Sequence, residues 1–139
     1  MKTTDDLEKA LKTTGSIDNY LGENEESIIC ENLPELLKEQ LEKSGLQKAD
    51  VINAAEISYV YGCQMFSGAK TSPSRNKLLS VLIAMKLNSE EINAFLKCAG
   101  YPFLYAKNKR DSIIMYCIEK KMPVSEINCE LYRLGEETL

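Results

Sequence analysis

The side chains with recognisable chemistry in this sequence gather between Lys48 and Lys77. Four cations, Lys48, Lys70, Arg75 and Lys77, flank a short segment holding Tyr59, Val60, Tyr61, Cys63, Gln64 and Ser67. Ammonium and guanidinium groups suit anionic oxygens, phenol and serine hydroxyls donate to the same oxygens, and the Gln64 amide donates and accepts from one fork. Such a set recognises a surface; it does not break bonds. Catalysis has little to work with, because the chain has no His. That removes the commonest general base, the commonest metal ligand and the usual activator of a Ser or Cys nucleophile. A carboxylate pair would have to carry acid–base work, yet Glu90-Glu91 and Asp5-Asp6 sit in expected helix first turns, where acids complement the dipole. The expectation is a protein that is not an enzyme and takes no metal or other cofactor.

Composition narrows the class further. The chain has 139 residues, 44% hydrophobic and 27% charged, which fits one globular unit with a full core. Its five cysteines, Cys30, Cys63, Cys98, Cys117 and Cys129, are odd in number, widely spaced and never in a C-x-x-C pair. That argues against a disulfide scaffold or a zinc ribbon and for reduced thiols in an intracellular, cytoplasmic protein. No apolar run of signal-peptide length follows Met1, and none approaches the roughly 18 residues of a membrane span, so no membrane partner is expected. Charge is uneven. Residues 1–44 hold 5 basic and 11 acidic side chains, whereas residues 47–110 hold 9 basic and 4 acidic. A cationic middle beside an acidic flank fits a nucleic-acid-facing surface, and on charge alone fits scattered solubilising charge equally well.

The elements that must position these residues read as helices. Sustained apolar–polar alternation bounded by hairpin turns is missing, while helix caps are plentiful. Thr4 and Ser16 cap two short pieces ended by Gly15 and Gly22, within an acidic arm over residues 1–31. Asn32-Leu33-Pro34-Glu35 caps a helix with Leu33, Leu36, Leu37, Leu41 and Leu46 at helical spacing, ended by Gly45. A helix over about 48–55 turns Val51, Ile52 and Ala55 inward. Ser58 caps the next, about 59–67, and Gly68 ends it. Ser72-Pro73 opens a helix through Met85 with Leu78, Leu79, Val81, Leu82 and Met85 on its apolar side. Asn88 caps one carrying Ile92, Phe95 and Leu96, stopped by Gly100 and Pro102. Asp111–Lys121 and Ser125–Leu134 complete an all-α chain, with a core over 32–100 and a C-terminal extension over 101–139 packed on it. Lys107-Asn108-Lys109-Arg110 reads as a solvated loop, with a phosphate or partner contact as its alternative.

Two short helices a few residues apart, the second capped by Ser and closed by Gly, followed by Pro-Ser opening another, resemble the lambda-repressor-like (Cro/CI or XRE-type) helix-turn-helix. The matching residues are Val51-Ile52, Ile57-Ser58, Met65, Phe66-Ser67-Gly68, Pro73-Ser74-Arg75, Leu78-Leu79 and Met85-Lys86-Leu87. Ser58 to Gly68 spans the family's ten-residue step, and the resemblance covers about residues 33–99. The whole chain is also similar to small bacterial XRE-type proteins with flanking helices. The chain departs from the pattern in three ways. Ile52 stands where the family prefers a small residue and Gly62 where it prefers a branched one. These positions face each other where two helices cross, so the swap reads as a volume-conserving pair. The step from Gly68 to Pro73 is one residue longer than usual. The 59–67 helix carries no Arg or Asn to read guanine or adenine.

The resemblance implies a five-helix core and a transcriptional regulator whose recognition helix, about 59–67, enters the major groove of double-stranded DNA. Tyr59, Val60, Cys63 and Gln64 would meet base edges: Gln64 through its amide fork, Val60 or Cys63 through a thymine methyl. Lys48, Tyr61, Ser67, Lys70, Arg75 and Lys77 would contact phosphates. A palindromic operator would require a homodimer, with Asp111–Leu134 as its interface. The alternative keeps the fold as an interaction or adaptor module that binds protein through the Tyr59, Val60, Tyr61 and Cys63 face.

Overall fold

From Leu33 onward the backbone reverses at glycines, capped helix starts and short turns. The computed structural model describes residues 32–139, and among them lie seven helices and no strands. They are α1 (Leu33–Ser44), α2 (Lys48–Ala54), α3 (Tyr59–Ser67), α4 (Arg75–Ala84), α5 (Ser89–Ala99), α6 (Lys109–Glu119) and α7 (Val124–Arg133). The expected caps Thr4 and Ser16, their short helices and the acidic arm over 1–31 lie outside the described residues.

Caps explain most boundaries. Ser58 accepts from the Tyr61 N–H and starts α3; Gly68, at φ 89°, stops it in a left-handed conformation that costs a residue without Cβ little. Asn88 and Glu91 form a reciprocal capping box on α5. Three starts differ from expectation. The Asn32 side chain makes no cap bond, and Pro34 near the start of α1 supplies the fixed φ instead. Ser74, not Ser72, caps α4 by accepting from Lys77 N–H. Asn108 accepts from Asp111 N–H, so α6 begins at Lys109 and its basic residues lie in the first helical turn. The turn between α2 and α3 is tight enough to hold Glu56 at φ 57°, where glycine is common in such motifs.

Helix α4 is the hub. It packs on α2, α5 and α7, and Leu78 through Ile83 are buried without interruption, Ser80 included. The expectation of one apolar side was too modest: neighbours surround this helix, so its sequence is hydrophobic all round. The Ser80 hydroxyl is satisfied by donating to Asn76 O at 2.9 Å. Helix α1 packs on α3, α2 on both α3 and α4, and the α6–α7 pair closes the other side through α5 and α4. One cluster of buried side chains runs from Leu33 through Leu79 and Ile92 to Ile114, Ile127 and Leu131. The described residues, 32–139, thus form one compact unit, in which the C-terminal helices share the core of the others. Among the described residues, no helix is long and apolar enough to cross a membrane.

Candidate functional site

Helix α3 is held by its glycine. A Cβ at Gly62 would lie 2.6 Å from Ile52 Cγ1, 2.7 Å from Cδ1 and 2.8 Å from Cγ2. Real carbon atoms do not approach so closely, so Ile52 fills the space a side chain at 62 would need. Met65 and Phe66, on the same inward side, are fully buried. That seating leaves Tyr59 58% and Val60 66% exposed, with Ser67 exposed and Cys63 and Gln64 half-buried. The Tyr59 phenol is held above its ordinary range, first by a side-chain hydrogen bond with Cys63 one turn on and then by charge interaction with that thiol. Tyr59 therefore stays protonated and remains a donor at neutral pH.

Tyr61 points elsewhere. Its hydroxyl oxygen accepts from the Ser74 N–H at 3.0 Å, tying α3 to the cap of α4. Its ring carries two cations: Lys70 Nζ stands 4.9 Å and Lys77 Nζ 5.9 Å from the ring centroid. Tyr61, expected to reach a phosphate through its hydroxyl, has that oxygen accepting from a helix start, while the O–H proton is not used by this bond. Next to it Tyr101 donates to Pro73 O at 2.6 Å, and burial, then the nearby Tyr61, push the Tyr101 phenol upward. The longer step from Gly68 to Pro73 is closed off by these two tyrosines.

Arg75 requires a correction. It was expected on a phosphate, yet its guanidinium is spent within the protein. Nε donates to Pro102 O at 2.9 Å and Nη2 to Phe103 O at 3.2 Å, while Nη1 and Nη2 meet the two oxygens of buried Asp111 at 3.3 and 3.2 Å. These bonds use four of its five N–H donors, and the fork that would grip a phosphate bidentately is already taken by a carboxylate. Asp111 also accepts from the Tyr105 N–H, and Asn93 brackets Leu104 through its amide oxygen and nitrogen. Together they pin the α5–α6 connection onto the start of α4. The basic run read as a solvated loop is occupied as well. Lys109 Nζ donates to Leu134 O, and Arg110 to Glu137 O, Thr138 O and Asn76 Oδ1, so these cations hold the C-terminal segment. An open cleft of about 430 Å³ beside them is lined by Arg75, Asp111, Lys109, Arg110 and Glu136.

The cations left on the rim of α3 are Lys48, exposed at the first position of α2, together with Lys70 and Lys77. Neither α3 nor α4 has an acid in its first turn. Acids are common there because they complement the helix dipole. The nearest acids in sequence are Asp50, in the first turn of α2, and Glu56, in the turn before α3. Sequence reasoning missed the Arg75–Asp111 pair, because residues 36 apart carry no periodic signal of contact. It missed Tyr101 for the same reason. No Cys, Asp and Glu group of three or more that could hold a metal occurs among the described residues. No protein-family model matches the chain, nor does any curated protein or solved structure.

Proposed function

We propose that the chain is a sequence-specific DNA-binding regulator of the XRE helix-turn-helix type, with α3 as the recognition helix. The observation that carries the reading is the outward side of α3. Tyr59 and Val60 stand exposed at its start, lysines border it, and the first turns of α3 and α4 carry no acid. Tyr59, Val60, Cys63 and Gln64 are the base-edge candidates. Lys48, Ser67, Lys70 and Lys77 are the phosphate candidates, with Arg75 removed from the set. Each phosphate neutralised contributes about −0.9 to the slope of log affinity against log salt, so three lysines give roughly −3 per chain. That is a modest electrostatic grip, and a pair of chains on a palindrome would double it. The α6–α7 pair is the proposed interface for such a dimer, where Tyr116 and Tyr132 are exposed.

The test is a salt-titrated binding assay of the full chain on genomic fragments. A fragment bound well above random duplex, with a slope near −3 or −6, supports the reading. Equal, negligible binding to every fragment at low salt overturns it. The adaptor reading keeps one argument, the exposed Tyr59–Val60 pair, but has lost Tyr61 from its patch to the contact with Ser74. A stable protein partner lost on Tyr59→Asp, with no DNA binding, would favour it.

A further inference from the structure

Resting on the DNA-binding reading, we propose that Tyr61 is a positioning residue that holds Lys70 and Lys77 as a preset pair of cations for neighbouring backbone phosphates. Three observations converge on it. The ring lies 4.9 Å from one ammonium and 5.9 Å from the other, within the range of cation–π attraction. The ring is seated on the half-buried side of α3, and its hydroxyl oxygen adds a bond by accepting from Ser74 N–H at 3.0 Å. Neither lysine forms an ion pair among the described residues, where the ion pairs are Arg75–Asp111 and Arg133–Glu130.

The backbones on both sides are fixed too. The Lys70 N–H donates to Gln64 O at 3.0 Å, wrapping the residue around the end of α3. The Lys77 N–H donates to the Ser74 hydroxyl, placing that residue in the first turn of α4. One lysine thus follows the C-terminus of the proposed recognition helix and the other begins the next helix. A free lysine loses much rotamer freedom when it grips a phosphate, and a ring that already confines it reduces that loss. An aromatic face suits this purpose better than a carboxylate. It attracts the ammonium without neutralising it, so the charge stays available to an anion. The first turn of α4 is a poor place for Lys77 by the helix dipole alone, and the Tyr61 ring supplies the missing compensation.

The experiment uses the full chain and has two readouts. Without DNA, the lysine side-chain methylene resonances of Lys70 and Lys77 are measured by NMR. The ring should shift both upfield in the wild type and in Tyr61→Phe, and the shifts should vanish in Tyr61→Leu. With a random-sequence duplex, Tyr61→Leu should weaken binding about three- to tenfold, and Tyr61→Phe should recover most of that loss. Lys70→Gln and Lys77→Gln, which leave the ring in place, should each reduce the salt slope by about one. Unshifted lysine resonances in the wild type overturn the proposal. So does unchanged affinity in Tyr61→Leu, or a Tyr61→Phe loss as large as that of Tyr61→Leu, since the hydroxyl would then be the contact. If Tyr61→Leu fails to fold, an unchanged slope in both lysine variants overturns it alone. No binding of any duplex by the wild type ends the parent reading and this role with it. Wild-type binding without the Tyr61 effects ends this role alone.

Discussion

Replacing Gly62 by Ala tests the seat of α3 directly. In an ordinary helix the change stabilises by about 0.5–1 kcal/mol, because glycine gives up more backbone freedom on folding. Here the added carbon would stand 2.6–2.8 Å from three atoms of Ile52. Two of those atoms, Cγ1 and Cγ2, branch directly from Cβ, so no rotation of a distant tip clears the space. Overpacking of this kind costs about 1–3 kcal/mol. The net expectation is destabilisation by about 0.5–2 kcal/mol, or a melting temperature lower by about 2–8 °C at roughly 4 °C per kcal/mol. Ile52→Ala alone opens a cavity and should cost about 2–5 kcal/mol. Combined with Gly62→Ala, the methyl enters that cavity, and the double variant should be more stable than the sum of the singles by about 1 kcal/mol or more. Urea denaturation of the four proteins, with unchanged m values, measures this cycle. A neutral or stabilising Gly62→Ala, or strict additivity, would refute the packing argument and the helix register on which the recognition face depends.

Three further outcomes follow from the contacts. Arg75→Ala strands buried Asp111 and should cost about 1–3 kcal/mol in stability while leaving the salt slope of DNA binding unchanged; Lys77→Ala should do the reverse, and a slope reduced by Arg75→Ala would put that residue back on a phosphate. Asn88→Ala breaks the reciprocal cap of α5 and should cost about 0.5–2 kcal/mol, whereas Asn32→Ala should stay within about 0.5 kcal/mol because its side chain makes no cap bond; thermal melts of both separate the cases. The Tyr101 phenol is raised in the fold, so its protonated form is favoured there: its contribution is complete below the ordinary value of 10.0 and fades as pH climbs through the higher folded value. Denaturation at increasing alkaline pH should show that decline, and Tyr101→Phe should reduce it while leaving the parts due to Cys117 and Tyr59, which are also raised.

Much of the helical layout was legible because local rules wrote it. The Ser58 cap, the Gly68 stop and the Asn88 box are all set by residues within four positions of one another. The Ile52–Gly62 complementarity was legible for a different reason. Departures from the resembled pattern at two facing positions made sense only together, and the structure brings those atoms into contact. Starts chosen between neighbouring candidates were less readable. Ser72 and Ser74 both precede a helical run, and only the fold reveals that Tyr61 and Tyr101 occupy the strand of chain before Ser74. The continuous burial of α4 likewise depends on how many helices surround it, which no single segment encodes.

Charge was the least reliable guide to the site, and the reason is physical. Counting gives 9 basic residues between positions 47 and 110, as though all faced one partner. Arg75, Lys109 and Arg110 instead complete the fold, each donating to backbone or side-chain oxygens of distant segments. Arginine's planar fork makes it the natural choice for such bonding, so an arginine near a helix start is as suited to a carboxylate within the protein as to a phosphate outside it. The lysines bordering α3 escape that use. Lys48 is exposed, and Lys70 and Lys77 rest on an aromatic ring that leaves their charge intact. A surface built this way would bind a polyanion with few contacts and would depend on their placement more than on their number. If Tyr61 governs that placement in a DNA-binding chain, substitution of one uncharged residue should weaken binding while every formal charge remains.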